Sequence, residues 1–376
     1  MHWCEPMKLW LVTRHDDVLA GLHEPRFSSD RTGMYEQALP PALRQRVQPL
    51  LDHVLKWIQL SDDPDHTRLR KLVNVAFTPK MIQLLLPRVN ELVAGLLDGT
   101  PRGEPFDIID RFCRPLPATV ICEMLGIPRD EQEEFRLLTE RVMLFSTSGD
   151  AKLHEHADQA HAALDRLIAM FERLIAERRK TPRLDLLSAL VQAEANVERL
   201  SNDELYAMCV FIFLAGHEST TNGIASGLLI LLQHPDQFAA LKANTDGLVR
   251  GAIEETLRYK SPVIRAVRLV REDFDFGGQR LRAGQLAVML LGAAHRDPAQ
   301  FPDPDRFDIA RPTQRNLAFG HGLHFCLGAM LARIEMETAV RAVVQRMPNL
   351  RLADQPLRWK PTMGIRALER LAVVNP

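Results

Sequence analysis

The sequence predicts a mainly α-helical chain with a minor β part, folded as a single domain. Three observations predict it. Apolar residues recur at three- and four-residue spacing over several long segments; strand-like patterns are confined to two short regions; and no internal repeat or low-complexity linker divides the 376 residues.

In chain order, Lys8-Leu9-Trp10-Leu11-Val12-Thr13 reads as a short strand. Met81 to Leu97 carries Ile82, Leu85, Leu86, Val89, Leu92, Val93 and Leu96 at helical spacing, and Leu153 to Arg179 repeats the pattern. Asn202-Asp203-Glu204 supplies capping and acidic residues to a run that reaches Gln233, and Pro235 closes it. At about 30 residues it far exceeds the mean helix of ~11–12, and a helix so long and apolar must cross the middle of the fold. Val263 to Val270 and Phe274 to Val288, punctuated by Gly277-Gly278 and Ala283-Gly284, read as hairpin-like β structure. Arg296 to Leu317 is crowded with proline, aspartate and arginine and has no period, so a long irregular loop is expected there. Leu327 to Met347 is a last amphipathic helix.

Composition narrows the function. Apolar residues make up 46%, charged residues 25%, and the formal net charge is −1. So even a charge balance argues against nucleic acid as the main partner. The start, Met1-His2-Trp3-Cys4-Glu5-Pro6, lacks the basic and apolar regions of a signal peptide. The best apolar stretch, Ala207 to Gly216, is roughly half of the ~20 residues a membrane span needs. A cytosolic protein without a membrane partner is expected. The five cysteines, Cys4, Cys113, Cys122, Cys209 and Cys326, are odd in number and contain no C-x-x-C pair, which suggests neither a disulfide framework nor a zinc knuckle. Cys113, Cys122 and Cys209, in apolar surroundings, read as small buried hydrophobes.

Cys326 differs. It stands near the end of the glycine-rich run Phe319-Gly320-His321-Gly322-Leu323-His324-Phe325-Cys326-Leu327-Gly328, between the irregular loop and the last helix. Gly320 and Gly322 permit a tight turn, and a helix N-terminus beside Cys326 favours thiolate over thiol. A structural cysteine, or a nucleophile with His321 or His324 as base, would also fit glycine and cysteine alone. The run resembles F-x-x-G-x-[HR]-x-C-x-G, the haem-binding loop of the cytochrome P-450 family, at every fixed position. The resemblance implies a P-450 fold with haem b, iron bound by Cys326, and Phe319 packed beside the sulfur. It further implies a turn made by Gly322, a haem propionate bonded by His324, and a helix brought close to the porphyrin by Gly328.

Two further motifs agree in order. Glu255 and Arg258, three apart on one helix face, would alone be worth ~0–1 kcal/mol as a surface pair. The resemblance instead implies a buried network of Glu255, Arg258 and Arg306. Within the long central helix, Ala215-Gly216-His217-Glu218-Ser219-Thr220-Thr221 places polar groups where they are costly without partners or a task. A zinc-binding H-E-x-x-H reading fails because Thr221 stands where the second histidine must be. The segment resembles the family's oxygen-binding groove, [AG]-G-x-[DE]-T-T. This implies room for dioxygen at Ala215 and Gly216 and proton delivery by Glu218, with Ser219 in the place usually held by threonine.

By the same resemblance His66 and Arg70, four apart on a helix, and Arg268 would pair with haem propionates. Ile264, Ala266 and Arg268 alternate along a strand and share a face. Phe211, Leu214, Ala215, Val263, Ile264 and Met363 are the expected pocket lining, apolar enough to imply a lipophilic substrate. The resemblance starts near Lys8, after fewer residues than the family usually places before this strand. It implies a monooxygenase that reductively activates dioxygen, with electrons from a ferredoxin and an NAD(P)H-dependent ferredoxin reductase docking on the cysteine side, where Arg68, Lys71 and Arg333 offer positive charge. A peroxide-driven haem enzyme and a non-catalytic haem sensor are the alternatives.

Overall fold

The computed structural model describes all residues except 32, 34–40, 75–76, 148–152, 194–199, 313 and 362–363. Met363 therefore lies outside the described residues. The chain forms two compact units, one comprising Met1–Ser28, Ile82–Pro117 and Glu218–Pro376, the other Ser29–Met81 and Ala118–His217. Its helices are α1 (His15–His23), α2 (Pro41–Val54), α3 (Asp65–Asn74), α4 (Pro79–Asp98), α5 (Pro115–Met124), α6 (Gln132–Thr147), α7 (Leu153–Lys180), α8 (Leu186–Ala193), α9 (Asn202–Gln233), α10 (Pro235–Ala243), α11 (Thr245–Tyr259), α12 (Leu291–Ala294) and α13 (Ala329–Arg346).

All described strands belong to the first unit. They are β1 (His2–Cys4), β2 (Leu9–Val12), β3 (Phe27–Ser28), β4 (Pro105–Asp107), β5 (Ala266–Val270), β6 (Phe274–Phe276), β7 (Gln279–Leu281), β8 (Leu286–Met289), β9 (Arg351–Leu352) and β10 (Ala372–Val374). The main sheet runs β1-β2-β8-β5-β3, with β2 parallel to β8 and β5 antiparallel to it, so that Arg268 stands opposite Ala287. Strand β5 begins at Ala266, so the expected run from Val263 is shorter at its start, and Ile264 precedes the strand. The β6–β7 hairpin turns on Gly277 and Gly278, both at positive φ (56° and 74°). That is the conformation two-residue hairpin turns need, and glycine adopts it without steric cost. Under the sheet, Val18 and Leu22 of α1 pack with Val12, Leu281 and Met289 in one buried cluster.

Helix α9 has 32 residues. Its start is a reciprocal cap: the Glu204 N–H donates to Ser201 Oγ at 3.2 Å, and the Ser201 N–H donates to Glu204 Oε2 at 2.8 Å. The cap thus sits one residue earlier than the expected Asn202. Helices α2 and α5 carry weak sequence signals. Pro49 interrupts the α2 pattern, and prolines open α5. No described helix is long and apolar enough to cross a membrane.

The loop after α12 is irregular as expected, and arginines organise it. Arg258, in the last turn of α11, donates from Nε and Nη2 to both Glu255 carboxylate oxygens at 2.7 and 2.8 Å. Its remaining N–H groups reach the carbonyls of His295 (3.0 Å), Pro304 (2.8 Å) and Arg306 (3.1 Å). Glu255 also accepts from the Asp308 N–H at 2.9 Å and from Arg311 Nε at 3.2 Å. The pair is almost fully buried, at 3% and 1% side-chain exposure. One expectation is corrected here. Arg306 enters the network through its backbone carbonyl, while its own side chain is 67% exposed. A turn from Asp303 to Arg306 presents the carbonyl inward, and Arg311 supplies the additional guanidinium.

A second buried acid lies on α13. Glu335 is 1% exposed, its Oε2 makes no hydrogen bond, and burial pushes its pKa from 4.5 up to about 8.

Removing Arg258 would leave the buried Glu255 carboxylate with only the Asp308 N–H and Arg311 as donors and would free the His295 carbonyl, so Arg258→Ala should lose ~3–5 kcal/mol of stability, read from urea unfolding. A loss within the range of an exposed pair would refute the network's role. Glu335 acts with the opposite sign to a paired carboxylate. Between about pH 4.5 and 8 the unfolded chain ionises it while the folded chain keeps it neutral. Stability therefore falls as pH rises through that window, and the cost is complete above it. Glu335→Gln should flatten that decline and be more stable than the parent at pH 9; parallel stability curves would contradict this.

Candidate functional site

The segment from Leu317 to Gly328 is fixed by its own backbone. The Gly320 N–H donates to the Leu317 carbonyl (2.8 Å), the Phe325 N–H to that of Gly322 (3.0 Å), and the Cys326 N–H to that of Phe319 (2.9 Å). Gly320 and Gly322 sit at φ 68° and 69°. At Gly322 a side chain would also collide, since a Cβ would fall 2.8 Å from the Leu22 carbonyl oxygen. Cys326 is half-buried and lies three residues ahead of Ala329, the first residue of α13, with Gly328 as the N-cap. The Cys326 side chain is therefore held just outside a helix N-terminus, whose partial positive charge favours a thiolate. By contrast, burial raises the thiols of Cys113 and Cys209 far above the usual range and pushes Cys122 up to about 12. Those three are packing residues.

Side chains brace the start of this loop. The Leu317 N–H donates to His295 Nε2 at 2.8 Å, and His295 is fully buried. Burial, with Arg258 nearby, pulls the His295 pKa down to about 3, so the ring stays neutral and can accept. Asn316 donates to the Glu254 carbonyl at 2.9 Å. Glu254 pairs with Arg333, whose guanidinium lies 4.3 Å over the Phe319 ring. Sequence reasoning missed His295, Glu254 and Arg311, because each partner is remote in the chain.

On α9 the pattern of exposure is uneven. Residues 205–210 and 220–231 are buried throughout, whereas Phe211, Gly216, Glu218 and Ser219 are half-buried and Ala215 is exposed. These positions form one stripe along the middle of the helix, with its smallest residues at the centre. The Asn222 amide donates to the Glu218 carbonyl at 2.8 Å, tying down the turn that carries Glu218. Leu214 is 3% exposed, which makes it core rather than pocket lining. Phe211 lies against Trp57, with ring centroids 5.6 Å apart. Val263 and Ile264 are half-buried just before β5.

The remaining residues divide between the units. Arg268 on β5 and His324, at the end of a short 3₁₀ turn, belong to the unit that holds Cys326, Phe319, Gly328, Glu218 and Ser219. His66 and Arg70 on α3 belong to the other, with Ala215 and Gly216. His66 is 1% exposed and Arg268 8%, both well buried for polar side chains. Arg70 is half-buried and donates to Asn74 at 3.2 Å. The expected positive patch is corrected: Arg68 pairs with Glu204, and Arg333 with Glu254, so neither offers an uncompensated charge.

The residues of the unit that holds Cys326 fit haem. The half-buried Cys326 could supply a thiolate, and a Cβ built on Gly328 meets no atom within 4 Å. In the same unit, the buried Arg268 guanidinium suits a carboxylate group.

Comparison with known proteins agrees. Residues 52–358 match the family model described as Cytochrome P450. Cytochrome P450 107B1 of Saccharopolyspora erythraea is 42% identical over 97% of this chain and 88% of its own length. The monooxygenase PikC of Streptomyces venezuelae is also 42% identical, over 97% and 85%. Among solved structures, P450BioI in complex with an acyl carrier protein ligated to hexadec-9Z-enoic acid superposes with a TM-score of 0.88 at 36% identity, covering 97% of this chain and 92% of that one. The chain belongs to the cytochrome P450 family and is a monooxygenase with a haem cofactor.

Proposed function

We propose that this protein binds haem b through the Cys326 thiolate and inserts one oxygen atom of dioxygen into a lipophilic small molecule, by hydroxylation or epoxidation. The observation that carries the reading is Cys326 itself: half-buried, locked by its N–H to the Phe319 carbonyl, and set just ahead of the α13 N-terminus. When bound, the haem supplies the iron at which dioxygen is reduced, and a thiolate ligand favours O–O cleavage.

The chain's own residues would have three tasks. His66, Arg70, Arg268 and His324 would hold the propionates. Phe319, Gly322 and Gly328 would shape the cysteine side. On α9, Ala215 and Gly216 would leave space, while Glu218 and Ser219 would bring protons to it. Ser219 keeps the hydroxyl but lacks the methyl that restricts threonine to few rotamers, so its proton can be offered from more positions. Glu255, Arg258 and Arg311 would hold the loop that leads to Cys326.

Several relatives carry lipophilic substrates in their names. They include 6-deoxyerythronolide B hydroxylase and a vitamin D(3) 25-hydroxylase. The solved neighbours include a complex with myristic acid and one with corticosterone. Val263 and Ile264 supply apolar, partly accessible surface that suits such a molecule. Electrons are proposed to arrive from a ferredoxin and its NAD(P)H-dependent reductase.

Reduction with dithionite in carbon monoxide should give the strongly red-shifted Soret band of thiolate-ligated haem, and Cys326→His should abolish it. A band of the histidine-ligated type in the parent would defeat the assignment of Cys326. Ser219→Thr should lower the hydrogen peroxide released per NAD(P)H consumed, by about twofold to fivefold if the lost methyl matters at the ~1 kcal/mol level. An unchanged peroxide yield would remove Ser219's rotamer from the account.

A further inference from the structure

Helix α1 touches the irregular loop at its start and the cysteine loop at its end. At its first residue, the His15 N–H donates to Asp297 Oδ2 at 2.9 Å, and His15 Nε2 lies 3.0 Å from the Arg315 carbonyl. His15 is 2% exposed, so that end is locked. At its last residue, His23 Nε2 lies 2.6 Å from Nδ1 of His321, inside the cysteine loop, with ring centroids 4.7 Å apart. Between these ends, Val18 and Leu22 anchor the helix in the core under the sheet.

The chemistry of the contact has one consistent solution. The Gly322 N–H donates to the same His321 Nδ1 at 3.0 Å. Nδ1 therefore carries no proton, and the neutral His321 ring holds its proton on Nε2. Two donors, the Gly322 N–H and His23 Nε2–H, converge on one ring nitrogen. The fit around them leaves no slack. A Cβ on Gly322 would lie 2.8 Å from the Leu22 carbonyl oxygen and 3.1 Å from His23 Nδ1.

We propose that His23 is a positioning residue for Cys326: it clamps His321 from outside and fixes the turn that delivers the thiolate. It acts through His321, five positions ahead of Cys326, and touches no reacting atom. Together with His295, which holds the Leu317 N–H, it secures the loop on two sides, one buried and one at the surface. The inference rests on Cys326 being the iron ligand.

The test uses haem-loaded parent, His23→Ala, His23→Gln, His321→Ala and the double alanine variant, each reduced under carbon monoxide. The readout is the rate at which the thiolate-type Soret band is lost in mild urea, with the reduction potential measured alongside. His23→Ala should speed the loss about fivefold, the fold-change of one hydrogen bond of ~1 kcal/mol. His23→Gln restores an N–H donor and should return the rate to within about twofold of the parent. In the His321→Ala background, His23→Ala should add nothing. A parental rate in His23→Ala, or an equal effect of His23→Ala with and without His321, would overturn the clamp. A parent with no thiolate-type band would overturn the assignment of Cys326 first, and the clamp with it.

Discussion

The buried ion pair between Glu255 and Arg258 is the interaction on which the rest of the site depends. Burying two charges is expensive, and the expense is tolerable here because nearly every polar atom of the pair is used. The guanidinium spends its remaining donors on the carbonyls of His295, Pro304 and Arg306, and the carboxylate accepts from Asp308 and Arg311. An irregular loop has no ladder of its own to satisfy its backbone. A pair of charges at the end of α11 does that work, and so converts a flexible-looking segment into a rigid lead to Leu317.

From Leu317 onward the constraint passes to neutral imidazoles. His295 can accept the Leu317 N–H only while unprotonated, and its burial beside Arg258 enforces that state. Burial sets that state, and the cation that organises the loop reinforces it. Surface histidines close the other side, where His23 meets His321. Cys326 inherits its position from these supports, and its proposed thiolate state from the helix that follows.

The long helix α9 illustrates a different economy. Twelve consecutive positions, 220 to 231, are buried, yet the turns just before them are partly accessible at Phe211, Ala215, Gly216, Glu218 and Ser219. An apolar helix of this length would gain stability from burying that stripe too. The stripe that stays accessible carries a carboxylate and a hydroxyl, Glu218 and Ser219.

The sequence by itself determined the mainly helical architecture and the family. Helical periodicity, the Gly277-Gly278 turn and the cysteine loop are local signals, carried by neighbours a few positions apart, and local geometry follows from them directly. Helices α2 and α5 escaped because prolines blur the same signal. Tertiary structure alone decided the partners. That Arg311 rather than the Arg306 side chain joins Glu255, that Arg68 and Arg333 are neutralised by Glu204 and Glu254, and that His23 reaches His321 all depend on contacts between residues far apart in the chain. Such pairings leave no periodic trace, since a charge or an imidazole looks alike in sequence whether water or a buried partner satisfies it. Only folding, by excluding water and fixing the distance, distinguishes the two.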